Sequence, residues 1–451
     1  MHKTSQFAKL GLFDARVPRY TSYPTAPQFS AQVGPAQMTD WITAIAPGST
    51  VSLYLHVPFC RRLCWFCACR TQGTQTLSPV HGYLETLIRE IRMLGDLLPE
   101  GVTLSRLHWG GGTPTLLSPA MMCDLAGAVA DIAPLAPGAE FSVEVDPNEI
   151  DVARVDALAA AGMTRASIGV QDFDPQVQTT IGRLQSFEIT RDATDMLRAA
   201  QITSLNADIL FGLPHQDETR MASSVQKLLT LNPDRVALYG YAHVPWMARR
   251  QSMIPSDALP APEQRFGLFE PAARLFAWDG YDQIGIDHFA KPDDSLAIAA
   301  RNGGLRRNFQ GYTDDPAHVL IGLGASAISR FPQGYAQNAP ATSAYAKTVQ
   351  SGQFATTRGH VFAGEDHLRA HMIEALMCNF EISTDDICTH FPDVGPQLTP
   401  LLQSAARKFG DAVHLTQDGL RIRPKWRPLT RIIARFFDAY DMSNTCHASA
   451  I

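Results

Sequence analysis

Six strand-like runs alternate with helix-like segments between residues 51 and 241, and this alternation restricts the choice of fold more than any other pattern in the chain. Residues 83–98 have apolar side chains recurring at intervals of three and four, and residues 151–162 begin with Asp and end with Gly, as helices do. The strand-like runs are residues 51–57, 105–110, 140–145, 164–170, 203–211 and 234–241. Strands that alternate with helices pair in parallel, so the pattern predicts an α/β fold with a parallel sheet.

Length and composition are those of an ordinary globular protein. The 451 residues suffice for two or three domains, and 45% of them are hydrophobic. With 18% charged residues and a net charge of -6, the chain lacks the basic surface of a nucleic-acid binder. No apolar run reaches the roughly 18 residues of a membrane span, and the N-terminal segment has no apolar core of signal-peptide type. We therefore expect a cytoplasmic protein.

The segments on either side of the alternation have different patterns. Residues 18–26, PRYTSYPTA, contain too many Pro and Tyr residues for a helix. After about residue 360 the pattern becomes helical, with one hairpin expected at residues 413–424. We therefore divide the chain into an N-terminal arm (1–50), a βα barrel with the elements that follow it (51–360) and a helical C-terminal domain (361–451).

Polar residues and glycines collect at the ends of the six predicted strands. The first strand runs into a cysteine-rich loop, the second into residues 110–113, and the next two end at Glu144 and Gln171. The fifth strand carries Asp208, and the sixth ends at residues 241–245. Turn chemistry explains any one of these residues, but a parallel barrel builds its ligand site where the carboxyl ends of its strands converge. The sequence therefore predicts a binding site there.

Four of the eight cysteines lie within ten residues, at Cys60, Cys64, Cys67 and Cys69. In a reducing compartment, clustered cysteines bind metals or carry out redox chemistry more often than they form disulfides. The C-x3-C-x2-C spacing of the first three suits three corners of an Fe–S cluster and leaves an iron open to an external ligand. A zinc site would need a second ligand pair about 12–20 residues away, which the sequence lacks. Zinc, and Cys69 as a fourth ligand, are the less favoured alternatives.

The other four cysteines are scattered, and we expect them to be free thiols. They are Cys123, Cys378, Cys388 and Cys446.

The cysteine loop resembles that of the radical S-adenosylmethionine superfamily, with an aromatic residue, Phe66, before the third cysteine. Further motifs resemble, in order and over nearly the whole chain, the oxygen-independent coproporphyrinogen III oxidase family: PRYTSYPTA, HVPFC with the additional Cys69, LHWGGGTPT, EVDP, GVQDF, FGLP, DHFA, RNFQGYT and CNF. The arm, Cys69 and RNFQGYT distinguish this family from the related haem chaperones. CACRT departs from the CGC form of other members, which affects only the local geometry of the loop.

The resemblance implies a partial (β/α)6 radical-SAM barrel with an N-terminal arm and a mainly helical C-terminal domain. It implies a [4Fe-4S] cluster and one S-adenosylmethionine, or two as in some members. The implied reaction converts the propionates on rings A and B of coproporphyrinogen III into the vinyl groups of protoporphyrinogen IX in haem biosynthesis. It also implies a monomer that takes electrons from a flavodoxin- or ferredoxin-like donor. A haem chaperone and a radical enzyme with another substrate are the alternatives.

The resemblance also assigns residues to roles. Cys60, Cys64 and Cys67 are expected to ligate three irons, with Cys69 and Tyr54 as catalytic residues. The expected S-adenosylmethionine pocket comprises Tyr54, Phe66, Gly111, Gly112, Thr113, Glu144, Gln171, Arg183, Asp208, Ala242 and Ile328. Candidates for binding the anionic, aromatic-sized substrate are Arg19, Arg306, Arg307, Tyr20, Tyr23 and Phe309, each of which has a purely structural alternative.

Overall fold

The computed structural model describes residues 2–441 and residue 450, with the backbone alone at residues 2–5. Two helices precede the barrel, α1 (His2–Lys9) and α2 (Pro35–Thr43). Between them the chain is irregular except for one 3₁₀ turn at Ala26–Gln28, so the expectation that the Pro- and Tyr-rich stretch forms no α-helix is confirmed. Cys446 lies outside the described residues.

Six parallel strands alternate with helices, as predicted. The elements are β1 (Thr50–Val57), β2 (Phe59–Cys60), β3 (Gln72–Gly73), α3 (Ser78–Gly95), β4 (Thr103–Gly111), α4 (Pro119–Ala130), β5 (Leu135–Val145), α5 (Val152–Ala160), β6 (Arg165–Gln171), α6 (Pro175–Thr180), α7 (Phe187–Ala199), β7 (Ser204–Phe211), α8 (Glu218–Thr230) and β8 (Arg235–Gly240). Strands β1, β4, β5, β6, β7 and β8 are adjacent in that order, and every pair is parallel. This sheet is the partial barrel.

The sheet extends on both sides of the six barrel strands. The added elements are α9 (Pro262–Trp278), β9 (Asp282–Ile284), β10 (His288–Ala290), α10 (Ser295–Arg301), β11 (Arg306–Asn308), β12 (Gly311–Thr313), β13 (Leu320–Leu323), β14 (Ile328–Phe331), β15 (Gly334–Asn338), α11 (Thr342–Gln350) and β16 (Thr356–Val361). Strand β13 pairs in parallel with β1, β14 to β16 follow in antiparallel, and β10 and β9 continue from β8. The result is one sheet of 12 strands, and β11 and β12 pair with each other outside it.

The C-terminal region is mainly helical, as expected. It contains α12 (Asp366–Asn379), β17 (Glu381–Ser383), α13 (Thr384–His390), α14 (Gly395–Phe409), β18 (Val413–Thr416), β19 (Gly419–Ile422) and α15 (Thr430–Phe437). The predicted hairpin is confirmed as β18 and β19, and β17 pairs with the second of these strands. No helix among the described residues has both the length and the apolar character needed to cross a membrane.

Two hydrophobic cores are of interest for the site. The larger core consists of buried residues with sequence numbers from Val33 to Ala355, and in it the barrel strands pack against their helices. The smaller one joins the N-terminal arm to the C-terminal helices, and it buries Tyr20 and Tyr23. The Tyr20 hydroxyl donates to Asp438 at 3.0 Å, and the Tyr23 hydroxyl accepts from the backbone of the following residue, Ala439, also at 3.0 Å. Both tyrosines therefore have a structural role: they anchor the arm to the C-terminal region.

Buried ion pairs fill the end of the barrel where its strands begin. Arg106 pairs with Asp314 at 2.7 Å, and Arg165 pairs with Glu140 at 2.7 Å. Arg235 pairs with Asp294 at 2.6 Å. These charged side chains pair mainly with one another at this end of the barrel.

Candidate active site

The cysteine loop leaves the barrel at the carboxyl end of β1. Strands β2 and β3 pair at the base of the loop, where the Thr74 N–H donates to the Cys60 carbonyl at 3.0 Å. The Trp65 N–H donates to the carbonyl of Ile181 at 2.8 Å, which ties the loop to the segment after α6. Arg250 Nη2 donates to the Thr71 hydroxyl at 2.9 Å. These contacts hold a short, closed loop across the barrel mouth.

Cys60, Cys64 and Cys67 are half-buried free thiols on this loop. A hydrogen bond from the Cys69 thiol lowers the pKa of Cys67 to about 6, whereas burial raises the pKa of Cys60 to about 11. The Cys69 N–H lies 3.4 Å from Cys67 Sγ, and Arg183 Nη1 lies 3.5 Å from Cys64 Sγ. The loop thus offers three soft thiol ligands, and N–H donors are placed to stabilise Cys64 and Cys67 as thiolates.

The three loop thiols do not all lie within 4.8 Å of one another; in the described part of the chain, the one set of three possible metal ligands that does is His371, Asp386 and His390, on the C-terminal helices. Three soft thiol ligands on one short loop suit an Fe–S cluster.

A glycine segment at the end of β4 lies directly against the cysteine loop. The Gly111 N–H donates to Glu144 Oε2 at 2.9 Å. A Cβ atom on Gly111 would lie 2.5 Å from the His56 ring, and one on Gly112 would lie 2.5 Å from the carbonyl oxygen of Phe59. No other residue type fits at these two positions, so the backbone approaches the loop closely and offers its polar groups to a ligand there.

A cavity of about 490 Å³ fills the barrel beside the loop. Five of the residues expected in the site line it: Tyr54, Cys69, Gly111, Glu144 and Asp208. Burial alone would raise the pKa of Glu144, but the hydrogen bond and charge of His108 and the N–H of Gly111 outweigh burial and hold this pKa below its usual value. Burial raises the pKa of Asp208 to about 6, and the negative charge of Glu144 adds to the rise. The pKa values of these two carboxylates are therefore shifted in opposite directions.

Other expected residues surround the cysteine loop from outside the cavity. Gln251 Nε2 donates to the carbonyls of Phe66 at 2.7 Å and Ala242 at 3.1 Å, which links the loop to the end of β8. Thr113 forms a side-chain hydrogen bond with Cys60. Gln171 ends β6 with a φ of 69°, a value uncommon outside glycine, which turns the chain sharply at the barrel mouth.

Of the two remaining expected residues, Arg183 offers a buried donor near the cysteine loop, whereas Ile328 does not line the cavity. Arg183 Nη2 donates to the Gly169 carbonyl at 2.7 Å, while Arg183 Nε is buried without a hydrogen-bond partner among the described residues. That buried donor is available to an anionic ligand. Ile328 begins β14, which is separated from β1 by β13, and it is not among the residues that line the cavity.

Many polar residues that line the cavity were not predicted from the sequence. Among them are His56, His108, Asn206, Tyr239 and His288. The Tyr54 hydroxyl hydrogen-bonds with His56 Nδ1 at 2.9 Å, and its ring stacks on His108 with centroids 5.6 Å apart. Polar residues at alternate positions of otherwise apolar strands, as in LHWG and LNAD, were the signal for this set, because alternate residues of a strand face the same side.

The residues present fit a [4Fe-4S] cluster with S-adenosylmethionine beside it. Three thiols supply the protein ligands, and the close backbone approach at Gly111 and Gly112 leaves room next to them. Glu144 and Asp208 offer acceptors, and Arg183 offers an unpaired buried donor. A ligand with ammonium, carboxylate and hydroxyl groups matches this set of donors and acceptors.

Comparisons with known proteins show the family to which the chain belongs. The family model of the Radical SAM superfamily matches residues 54–228. Oxygen-independent coproporphyrinogen III oxidase of Paracoccus denitrificans is 64% identical over 100% of both chains, and the Escherichia coli protein of that name is 38% identical over 94% of this chain and 93% of its own. The solved coproporphyrinogen III oxidase of Escherichia coli has a TM-score of 0.88 at 36% identity, covering 95% of this chain and 100% of that chain. The chain therefore belongs to the oxygen-independent coproporphyrinogen III oxidase family, within the radical SAM superfamily.

Proposed function

We propose that this chain catalyses the anaerobic oxidative decarboxylation of coproporphyrinogen III to protoporphyrinogen IX in haem biosynthesis. Each reacting propionate loses CO2, one hydrogen atom and one electron to leave a vinyl group. The observation that carries the proposal is the placement of the cysteine loop beside the barrel cavity, which Cys69 lines together with Glu144 and Asp208, in a chain of this family.

The residues of the chain would divide the work in the following way. Cys60, Cys64 and Cys67 would hold three irons of the cluster, and the glycine segment, Glu144 and Asp208 would bind S-adenosylmethionine. When bound, these two groups supply the one-electron radical chemistry. The protein orients the substrate, excludes water and supplies charge where it is needed.

We assign Cys69 to a catalytic role because it faces the cavity as well as the cluster loop. Its N–H donates to Cys67 Sγ at 3.4 Å, and its own side chain lines the cavity together with Tyr54. A fourth-ligand role would use up the iron position that S-adenosylmethionine requires. Cys69 therefore contacts a ligand thiol, Cys67, and also lines the cavity in which we expect the reaction to occur.

The three-part division of the chain remains our proposal. Residues 7–23 of the arm share the smaller core with the helices after residue 361, which supports a separate C-terminal unit, whereas residues 33–45 of the arm pack in the barrel core. We further propose that the enzyme is a cytoplasmic monomer. We also propose that it binds one S-adenosylmethionine, and a binding titration would distinguish one bound molecule from two. Free thiols at Cys123, Cys378 and Cys388 support a reducing compartment. The electron donor would be flavodoxin- or ferredoxin-like, since both deliver electrons singly.

Anaerobic assay of the reconstituted protein tests the function. With coproporphyrinogen III, S-adenosylmethionine and a reductant, vinyl product should form, and the protein should hold about four irons and four sulfides. Cys64→Ala should lose the cluster and the activity, whereas Cys123→Ala, an exposed thiol on α4, should retain both. Tight haem binding without turnover would instead support a haem chaperone. Cleavage of S-adenosylmethionine without vinyl product would indicate another substrate.

A further inference from the structure

A second cavity, of about 190 Å³, lies where the N-terminal arm, the barrel mouth and the C-terminal helices meet. We call it the cation pocket, because the described residues that line it include five arginines and one carboxylate, Asp287. The arginines are Arg19, Arg265, Arg307, Arg427 and Arg431. Arg306, the neighbour of Arg307 in the sequence, lines two other cavities instead. The structure therefore separates the arginines that the sequence analysis had grouped as substrate candidates.

Four of the five arginines of the cation pocket form no close ion pair with a described residue. In the described part of the chain, no carboxylate oxygen lies within 4.0 Å of a guanidinium nitrogen of Arg19, Arg265, Arg307 or Arg427. Asp287 is already hydrogen-bonded to His288 Nδ1 at 2.7 Å. Several cations in a confined space, with one carboxylate that is shared with a histidine, make the pocket strongly attractive to anions.

Several guanidinium donors in this pocket are buried and unused. Arg265 Nε, Arg427 Nε, and both Nε and Nη1 of Arg307 have no hydrogen-bond partner among the described residues. Arg307 is only 7% exposed. Burial, together with the nearby charge of Arg19, lowers the pKa of Arg265 to about 10. Buried donors of this kind are costly unless they are satisfied, and a bound anion would satisfy them here.

The FGLP motif at the end of β7 has a part in building the pocket. Gly212 has a φ of +83°, and a Cβ atom there would lie 2.2 Å from Cδ of Arg265. Only glycine leaves room for the Arg265 stem to cross this position. Arg265 Nη1 then donates to the Tyr241 carbonyl at 3.1 Å, which fixes the guanidinium beside the end of β8.

The shape and walls of the pocket indicate the class of anion. Its volume of about 190 Å³ is below the roughly 300–1,000 Å³ of pockets that enclose a whole small-molecule ligand. Phe211, Phe266 and Phe269 form apolar walls around the guanidinium groups. This combination suits a carboxylate on a short aliphatic chain, since guanidinium binds carboxylates in two parallel hydrogen bonds and the aromatic rings cover the chain.

The cation pocket and the barrel cavity are close neighbours. Asp287 lines the first and His288, the next residue, lines the second. Ala242 lines the cation pocket and, through Gln251, is connected to Phe66 of the cysteine loop. A macrocycle with several propionates can therefore place one carboxylate among the arginines while another extends into the barrel cavity.

We propose that the cation pocket binds a propionate of coproporphyrinogen III that is not reacting, and thereby decides which propionate is presented to the radical site. The inference rests on the function proposed above. Two of the four propionates of this substrate react and two do not, so an enzyme of this kind needs a means to tell orientations of the macrocycle apart. A fixed group of guanidiniums at one side of the barrel mouth provides it.

Equilibrium binding of coproporphyrin III, an oxidised and stable form of the substrate, tests the proposal without turnover. Fluorescence titrations use the full-length, anaerobically reconstituted chain. Arg265→Gln should weaken binding about 10-fold to 100-fold, the usual effect of removing a charged hydrogen-bond donor from a carboxylate. Arg274→Gln, an exposed arginine on the same helix α9, should leave the affinity unchanged. Arg265→Lys, which keeps the charge, should restore part of the affinity.

The tetramethyl ester of coproporphyrin III supplies the second arm of the test. The ester has no carboxylates, so its affinity for the wild-type chain and for Arg265→Gln should be equal. If Arg265→Gln binds coproporphyrin III as tightly as Arg274→Gln does, the proposal is wrong. If Arg265→Gln fails to fold, Arg427→Gln is measured in its place against the same expectation. The reaction is tested separately, on the wild-type chain. If Arg265→Gln weakens binding but the wild type forms no vinyl product, the binding role of the cation pocket stands and the proposed reaction is wrong.

Discussion

Replacing Gly112 by alanine tests whether close approach of the glycine segment to the cysteine loop builds the site. The new Cβ atom would lie 2.5 Å from the carbonyl oxygen of Phe59 and 2.9 Å from its backbone nitrogen and carbon. Ordinary contact begins at 3.4 Å, so the two segments must separate by about 0.9 Å. Phe59 directly precedes Cys60, and the movement would therefore be transmitted to a ligand thiol.

The cost of this separation follows from the contacts that it breaks. The Thr113 N–H donates to the same Phe59 carbonyl at 2.8 Å, and Thr113 is buried. Losing that buried hydrogen bond costs about 1–3 kcal/mol, and the overpacking itself about 1–3 kcal/mol. We expect Gly112→Ala to be destabilised by about 2–6 kcal/mol and to cleave S-adenosylmethionine about 100-fold more slowly, because a misplacement near 1 Å has an effect of that size.

Gly127→Ala is the matched control. Gly127 is exposed on α4, and a Cβ atom there would contact nothing within 4 Å, so this variant should be stabilised by about 0.5–1 kcal/mol through helix propensity. The measurements are thermal unfolding, iron content after anaerobic reconstitution, and release of 5′-deoxyadenosine. Wild-type stability and cleavage in Gly112→Ala would refute the reasoning, since the backbone contact would then be dispensable.

Two further predictions concern a thiol and a buried carboxyl. Cys69→Ser should keep the iron content of the wild type but lower turnover by at least about tenfold, as loss of a positioned catalytic group does, whereas iron loss as severe as in Cys67→Ala would make Cys69 a ligand. Glu90, fully buried on α3, accepts hydrogen bonds from Tyr345 and Asn338, and burial raises its pKa from 4.5 to about 7. The folded state therefore binds this proton more tightly than the unfolded state, and its stabilising effect is lost as pH rises from 4.5 to about 7. The free energy of unfolding of the wild type minus that of Glu90→Gln, measured by urea unfolding, should fall by about 3 kcal/mol over that pH range. A difference that does not change with pH would contradict the raised pKa of Glu90.

Much of the fold was predictable because the signals are local and periodic. All six barrel strands lie where alternating strand and helix patterns placed them. Asp151, the expected start of a helix, caps α5 by accepting from the Arg154 N–H at 2.9 Å. The short strands β9 to β16 were not resolved from the sequence, because strands of three to six residues carry too few alternations to be recognised.

The candidate site was predictable in part, for the same reason. The spacing of Cys60, Cys64 and Cys67 within one loop is a local pattern, and polar residues at strand ends converge in any parallel barrel. The roles of the individual residues stay predictions. His108 and His288 were missed because their position inside the barrel depends on strand register, which pairs residues distant in the sequence.

The sequence by itself thus determined the βα alternation, the thiol spacing and the polar strand ends, all of which depend on neighbours along the chain. Only the tertiary structure decided that Arg19, Arg265 and Arg427, from the arm, α9 and the C-terminal region, face one cavity. The tertiary structure also places Arg306 and Arg307 in different surroundings. Both lie on β11, and because adjacent residues of a strand point to opposite sides, only Arg307 of this pair lines the cation pocket. Convergence of this kind depends on how separate elements pack, and no local pattern of residues specifies it.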